Sequence, residues 1–209
     1  MEDEQTGGRR RRAELTKGDR RERAILDAAE RQLAADGYEG MTVATIAQAA
    51  GITRGALYFY FGSKSEVVAA LVARTVSALR AEVDAADDGG PPADAVRRGL
   101  DQTARMWQEH GTVMRAAVEL SPTVPAIERV WRSAVDALTD TMRGVAERAG
   151  VRSGPGPRDA DALTAALVWM TERVFYQASV TGGSTDDAVA TLVHVWRAAL
   201  GLPVDLERR

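Results

Sequence analysis

Residues 41–64 read MTVATIAQAAGITRGALYFYFGSK, and this stretch decides the fold. Thr42 is a natural N-cap, with Val43, Ile46, Ala47 and Ala50 following it on one helical face. Gly51 ends that helix. Thr53 offers a second N-cap for a short helix from Arg54 to Phe61, and Gly62 stops it. Two short helices joined by the tight turn Ala50-Gly51-Ile52 form a helix-turn-helix. Ile52, Leu57 and Phe61 are spaced to point inward, which leaves Thr53, Arg54, Gly55, Ala56, Tyr58 and Tyr60 at the start and outer side. In this motif the N-terminal part of the second helix meets base edges in the major groove. Arginine is the commonest base reader there, Tyr58, Tyr60 and Lys64 can donate to phosphates, and helix N-terminal amides favour phosphate oxygens. By itself the pattern also fits an ordinary pair of core helices.

Working outward, the preceding residues predict a helix from about Asp19 to Asp36, with Ile25, Ala28, Ala29 and Leu33 on one face and Gly37 as its C-terminal stop. Downstream, Ser63 and Glu66 read as a capping box opening a helix that runs to about Asp84. A break at Asp87-Asp88-Gly89-Gly90-Pro91-Pro92 follows. Further helices are predicted at 93–109, 111–119, 125–149, 159–180 and 185–200, with a Gly- and Pro-rich loop between Gly150 and Pro157. Strand and hairpin signals are missing. The expected fold is all-α, with a polar, arginine-rich disordered arm (1–18), a helix-turn-helix domain (19–64), a helical body (65–200) and a short tail (201–209).

The 209 residues are 45% hydrophobic, enough to bury a core, and carry a formal net charge of −3. Residues 9–62 hold ten basic and seven acidic groups, and 63–209 hold 17 basic and 20 acidic, a weak pointer to an anionic partner at the N-terminal end. The absence of cysteine excludes disulfide scaffolds, thiolate metal sites and thiol nucleophiles. With only His110 and His194, a histidine metal site is not expected. No apolar run reaches the length of a membrane span, and the N-terminal arginines precede no apolar segment, so the expected location is the cytoplasm. No nucleophile–base set, phosphate-binding glycine loop or dinucleotide fingerprint occurs, so neither an enzyme nor a cofactor is expected.

The run AILDAAERQLAADGYEG (24–40), then MTVATIAQAAGITRGALYFYFGSKSEVVAAL (41–71), resembles the tetracycline-repressor (TetR) family of bacterial transcription regulators. The segment Leu57-Tyr58-Phe59-Tyr60-Phe61, a glycine, then Ser63-Lys64 carries most of the likeness. The resemblance implies that Thr42 caps the first helix of the motif and touches phosphate. It implies that Thr53, Arg54, Gly55 and Ala56 face bases, that Tyr58 and Tyr60 lie at the groove wall, and that Lys64 reaches phosphate. Many relatives carry histidine where Tyr60 stands, so that position departs from the pattern. The resemblance further implies a helical second domain with a ligand pocket and a dimer face. Within the family, the YFYF-Gly-Ser-Lys run, Thr171-Glu172-Arg173 before Phe175, and Leu192 to Trp196 are similar to the repressors of ethionamide-activating monooxygenases, whose apolar tunnel is lined by aromatics.

In the body, residues 159–180 are apolar on two sides: Leu163, Ala166, Leu167, Met170 and Val174 form one stripe, and Ala165, Val168, Trp169 and Tyr176 another. One stripe suits the domain's own core and the other a partner subunit. The last helix has one clear face, Val189, Leu192, Val193, Trp196, Ala199 and Leu200, expected to join a four-helix dimer interface. Trp107, Trp131, Trp169 and Trp196 are each ordinary core residues taken singly. As a set with Met106, Met142 and Phe175 they point to a pocket for a small apolar ligand. Thr171 and Glu172 could face that ligand, or Glu172 could pair with Arg173 in solvent; both readings stand. His110 reads as a helix C-terminal cap and His194 as a satisfied helix histidine. The leading reading is a ligand-responsive repressor that binds a palindromic operator as a homodimer. The alternative is a helical enzyme or carrier of an apolar small molecule.

Overall fold

The computed structural model describes residues 16–86 and 89–203. The basic arm up to residue 15, including Arg9 to Arg12, lies outside the described residues, as do Asp87, Asp88 and the tail from residue 204. Among the described residues there are nine helices and no strand: α1 Lys17–Gly40, α2 Val43–Ala49, α3 Arg54–Tyr60, α4 Lys64–Ala86, α5 Pro92–Glu109, α6 Gly111–Leu120, α7 Pro125–Arg148, α8 Ala160–Thr181 and α9 Thr185–Ala199.

The helix ends follow from local chemistry. α1 starts earlier than the sequence predicts, because Thr16 and Asp19 form a reciprocal capping box that satisfies the first N–H groups. Its regular part stops at Gly37, whose φ of +66° suits glycine. α2 ends in a Schellman motif: Ile52 N–H donates to Ala47 O at 3.0 Å and Gly51 N–H to Gln48 O at 3.1 Å, with Gly51 at φ +67°. At the start of α4, Ser63 Oγ accepts from Glu66 N–H at 3.2 Å. The Glu66 carboxylate reaches one residue further back than in a standard box and accepts from Gly62 N–H at 2.8 Å.

Ile25, Ile46, Leu57, Val67, Val68 and Leu71 are fully buried and hold α1 to α4 together. Each such side chain contributes roughly 1.5–3 kcal/mol by leaving water. The same apolar cluster continues without a gap through Leu79 and Val83 of α4 into α5 to α9. α4, 23 residues and about 35 Å long, is therefore common to both halves.

Two expectations about the body need correcting. The face of α9 expected to meet a partner packs inside its own chain: Val189, Leu192, Val193, Trp196 and Leu200 are buried, with α5 as its main neighbour. Its exposed side carries Ala190, Thr191, His194 and Ala198, so His194 is a surface residue. On α8 the buried side is Thr164, Leu167, Val168, Thr171, Glu172 and Phe175, while Ala162, Ala166, Trp169, Arg173, Gln177 and Val180 are exposed. Both expected stripes mix the two sides. Apolar side chains surround this helix so fully that periodicity could not orient it.

Candidate DNA interface and ligand cavity

α3 stands at the surface, held by Leu57 at 0% exposure beneath it. Thr53 Oγ1 accepts from Ala56 N–H at 3.1 Å and fixes the helix start. Arg54 donates from Nη2 to Tyr58 Oη at 3.1 Å, and its guanidinium sits 5.5 Å from the Tyr58 ring centroid. The arginine is thus laid along the outer face of α3. Thr53, Arg54 and Gly55 are exposed and Ala56 is half-buried, so nothing bulky shields the first turn. Thr42 Oγ1 accepts from Thr45 N–H at 3.1 Å, and Thr45 Oγ1 in turn lies 3.0 Å from Gln32 Oε1 of α1.

Three aromatic neighbours divide differently from the expectation. Tyr58 is 44% exposed, Phe59 is 84% exposed, and Tyr60 is half-buried against the core, its ring edge-on to Phe59 with centroids 5.4 Å apart. Phe59 was missed because an apolar residue between two tyrosines reads as core; its place midway between the inward Leu57 and Phe61 was the available signal. Lys64 also differs. Its Nζ donates to Tyr38 O at 2.9 Å and lies 4.1 Å from the Tyr38 ring, while Tyr38 Oη is 2.8 Å from Ser65 Oγ. The lysine ties α4 to the end of α1 and has donors left for a second partner.

A polar chain joins this head to the body. Arg74 of α4 bridges Asp27 at 2.6 Å and Glu30 at 2.8 Å, both on α1. Glu30 Oε1 is also 2.7 Å from His110 Nδ1, at the junction of α5 and α6. His110 caps α5 through its backbone N–H, as expected, but its ring reaches across to α1.

Inside the body are two narrow cavities of about 30 and 40 Å³ that share Thr103, Leu138, Val168 and Thr171 as walls. Met142 and Trp196 line the first; Met106, Trp107, Trp131 and Glu172 line the second. Seven of the nine residues expected around a ligand, counting Thr171, therefore converge there. Phe175 does not: it is buried and borders a separate open cleft of about 530 Å³ between α1, the α5–α6 junction and the α8–α9 turn. Trp169 does not either; at 43% exposure it points away from the cavity side of α8. Thr171 and Trp196 are bonded to each other, Trp196 Nε1 donating to Thr171 Oγ1 at 2.9 Å, while Thr171 donates to Leu167 O at 2.8 Å. Glu172 is buried, its Oε1 has no hydrogen-bond partner, and burial raises its pKa against the smaller opposing pull of Arg173. Arg173 itself is exposed over the Tyr176 ring, so the two do not form a solvated pair.

Residues 25–71 match the family model for bacterial regulatory proteins of the tetR family, and residues 96–200 match that for the C-terminal domain of the transcriptional regulator EthR. The chain belongs to the TetR family. It is 30% identical over 196 residues to the HTH-type transcriptional regulator EthR of Mycolicibacterium smegmatis, covering 90% of this chain and 89% of that one. It is 31% identical over 199 residues to EthR of Mycobacterium tuberculosis, covering 90% of each. A TetR-like transcriptional regulator from Rhodococcus sp. RHA1 superposes with a TM-score of 0.65 at 25% identity, covering 90% of this chain and 99% of that one. As a TetR-family protein of the EthR type, the chain is a DNA-binding transcriptional regulator with a C-terminal ligand-binding domain, not an enzyme. Among the described residues no helix is long and apolar enough to cross a membrane.

Proposed function

We propose that this chain is a cytoplasmic repressor that binds a palindromic operator as a homodimer and releases it when a small, mainly apolar ligand enters the body. The observation that carries the reading is where large apolar side chains are left exposed: Tyr58 and Phe59 on α3, Trp169 and Val180 on α8. Exposed apolar side chains mark contact surfaces where they form a continuous patch. On α3 they flank Thr53, Arg54, Gly55 and Ala56, the residues assigned to base edges, with Tyr60 at the groove wall and Thr42 and Lys64 as phosphate contacts. On α8 they lie in line with Ala162 and Ala166, and the small residues Ala190 and Ala198 stand on the exposed side of α9. Two copies joined there would set their α3 helices for successive major grooves, about 34 Å apart.

The cavities are far smaller than the several hundred Å³ typical of ligand pockets. A ligand entering them must push their walls apart. Val76, Leu79 and Val83 of α4 are among those walls, and α4 continues directly from the DNA-binding head. The ligand therefore favours a conformer in which α4 has moved, and it weakens DNA binding in proportion to its preference for that conformer.

Light scattering combined with fluorescence anisotropy on the DNA upstream of its own gene tests the proposal. The expected result is a dimer that binds this DNA in preference to random duplex. A monomer with equal affinity for both would overturn it.

A further inference from the structure

The apolar lining of the cavities leaves one polar demand unmet. Thr103 Oγ1 donates to Gly99 O at 2.8 Å, and Thr171 is bonded to both Leu167 and Trp196. Glu172 Oε1, on the wall of the larger cavity, is buried with no partner, in a residue 8% exposed. A carboxylate held this way is costly to the folded chain, because desolvation of the charge outweighs the pull of Arg173 and no hydrogen bond to Oε1 offsets it. Burial accordingly pushes its pKa up. No basic side chain lines this cavity, and Arg173, the charged neighbour, sits on the outer side of α8 over Tyr176. The remaining walls include Trp107, Trp131, Met106 and Met114. Tryptophan faces attract organic cations, and methionines adapt to irregular apolar shapes.

We propose that the ligand is an organic amine: an apolar, ring-sized body with one protonated nitrogen that donates to Glu172 Oε1 between Trp107 and Trp131. This rests on the reading of the cavities as the ligand site and narrows it from apolar molecules in general to cationic ones. A neutral hydrocarbon would leave Glu172 orphaned, and a carboxylate would add a second buried negative charge.

Phenethylamine, phenethyl alcohol and phenylacetate share a ring and differ at the head group, so isothermal titration of the full chain with each isolates the head. The amine is expected to bind at least about tenfold more tightly than the alcohol, with phenylacetate weakest. In the variant Glu172→Met the amine should lose its advantage over the alcohol. The free variant should melt no lower than the parent, since an apolar residue of similar size relieves the orphaned carboxylate. Equal binding of amine and alcohol, a preference that survives Glu172→Met, no binding by any probe, or a large fall in melting temperature would each overturn the proposal. Amine binding that follows this pattern but leaves operator DNA bound would keep the inference and remove the effector role of the cavity.

Discussion

His110 Nδ1 and Glu30 Oε1 are 2.7 Å apart although 80 residues separate them in the chain. The contact joins α1 of the DNA-binding head to the α5–α6 junction of the body, and Arg74 of α4 shares the same carboxylate. Replacing Glu30 with glutamine keeps the size and weakens both links, while Arg74 retains Asp27. The expected outcome is little change in operator affinity but a smaller effect of ligand on it, by on the order of 1 kcal/mol of coupling. Operator titrations with and without ligand, in parent and Glu30→Gln, measure this directly. Unchanged coupling would show that α4 alone transmits the signal.

Arg54→Ala should remove discrimination more than affinity. The arginine lies along the outer face of α3 through Tyr58, and in the proposed complex it makes a bidentate base contact. The expected loss is about 1–3 kcal/mol on the operator and much less on random duplex. Equal weakening on both would reassign Arg54 to the phosphate backbone.

Phe59→Ala should separate binding from folding. At 84% exposure the ring contributes little to the core, so the change in stability should stay within about 0.5 kcal/mol. Operator affinity should nevertheless drop. Thermal melts and anisotropy on one preparation decide between this outcome and a structural role.

Adjacent α8 residues should respond in opposite ways to a charge. Ala166 is exposed and Leu167 is 6% exposed. Ala166→Glu is expected to keep its helical circular dichroism, run as a monomer in light scattering and lose operator binding. Leu167→Glu should be destabilised by about 3 kcal/mol or more, since it buries an unpaired charge. A dimeric Ala166→Glu variant would move the interface off this face.

Asp159 gives the pH dependence a definite sign. The Gly156 N–H at 2.8 Å, with Arg152 at 3.0 Å, holds its carboxylate below the usual range, against the opposing effect of burial. A depressed pKa contributes stability that is present above the ordinary carboxylate value and lost as pH falls through the depressed one. The stability gap between the parent and Asp159→Asn should therefore be full at neutral pH and close in acid. Melting temperatures across that range test it; a gap that widens in acid would contradict the assignment.

What the sequence made legible was local. Thr42, Gly51 and Thr53 act within a few residues of themselves, so the helix-turn-helix and its boundaries could be read before any packing was known. The start of α1 was missed because its capping box uses aspartate in place of the usual glutamate or glutamine. Trp169 stands elsewhere for a different reason: α8 is apolar on most sides, and only its packing against α5, α6, α7 and α9 determines which side turns in. The Glu30–His110 contact leaves no trace in any window of sequence, and the isolation of Glu172 becomes visible only once the cavity walls are assembled.

On α8, Glu172 lines the cavity while Arg173, the next residue, and Trp169, one turn back, stand on the adjoining exposed flank. In the proposed dimer that exposed flank is the seam with the second copy, so one rigid turn of helix borders both a ligand and a neighbour. The two copies then cannot respond as independent receptors: occupancy of the first alters the seam and with it the affinity of the second. A ligand titration of the dimer should depart from a simple hyperbola, with a Hill coefficient different from unity, and a monomeric Ala166→Glu variant should restore the hyperbola.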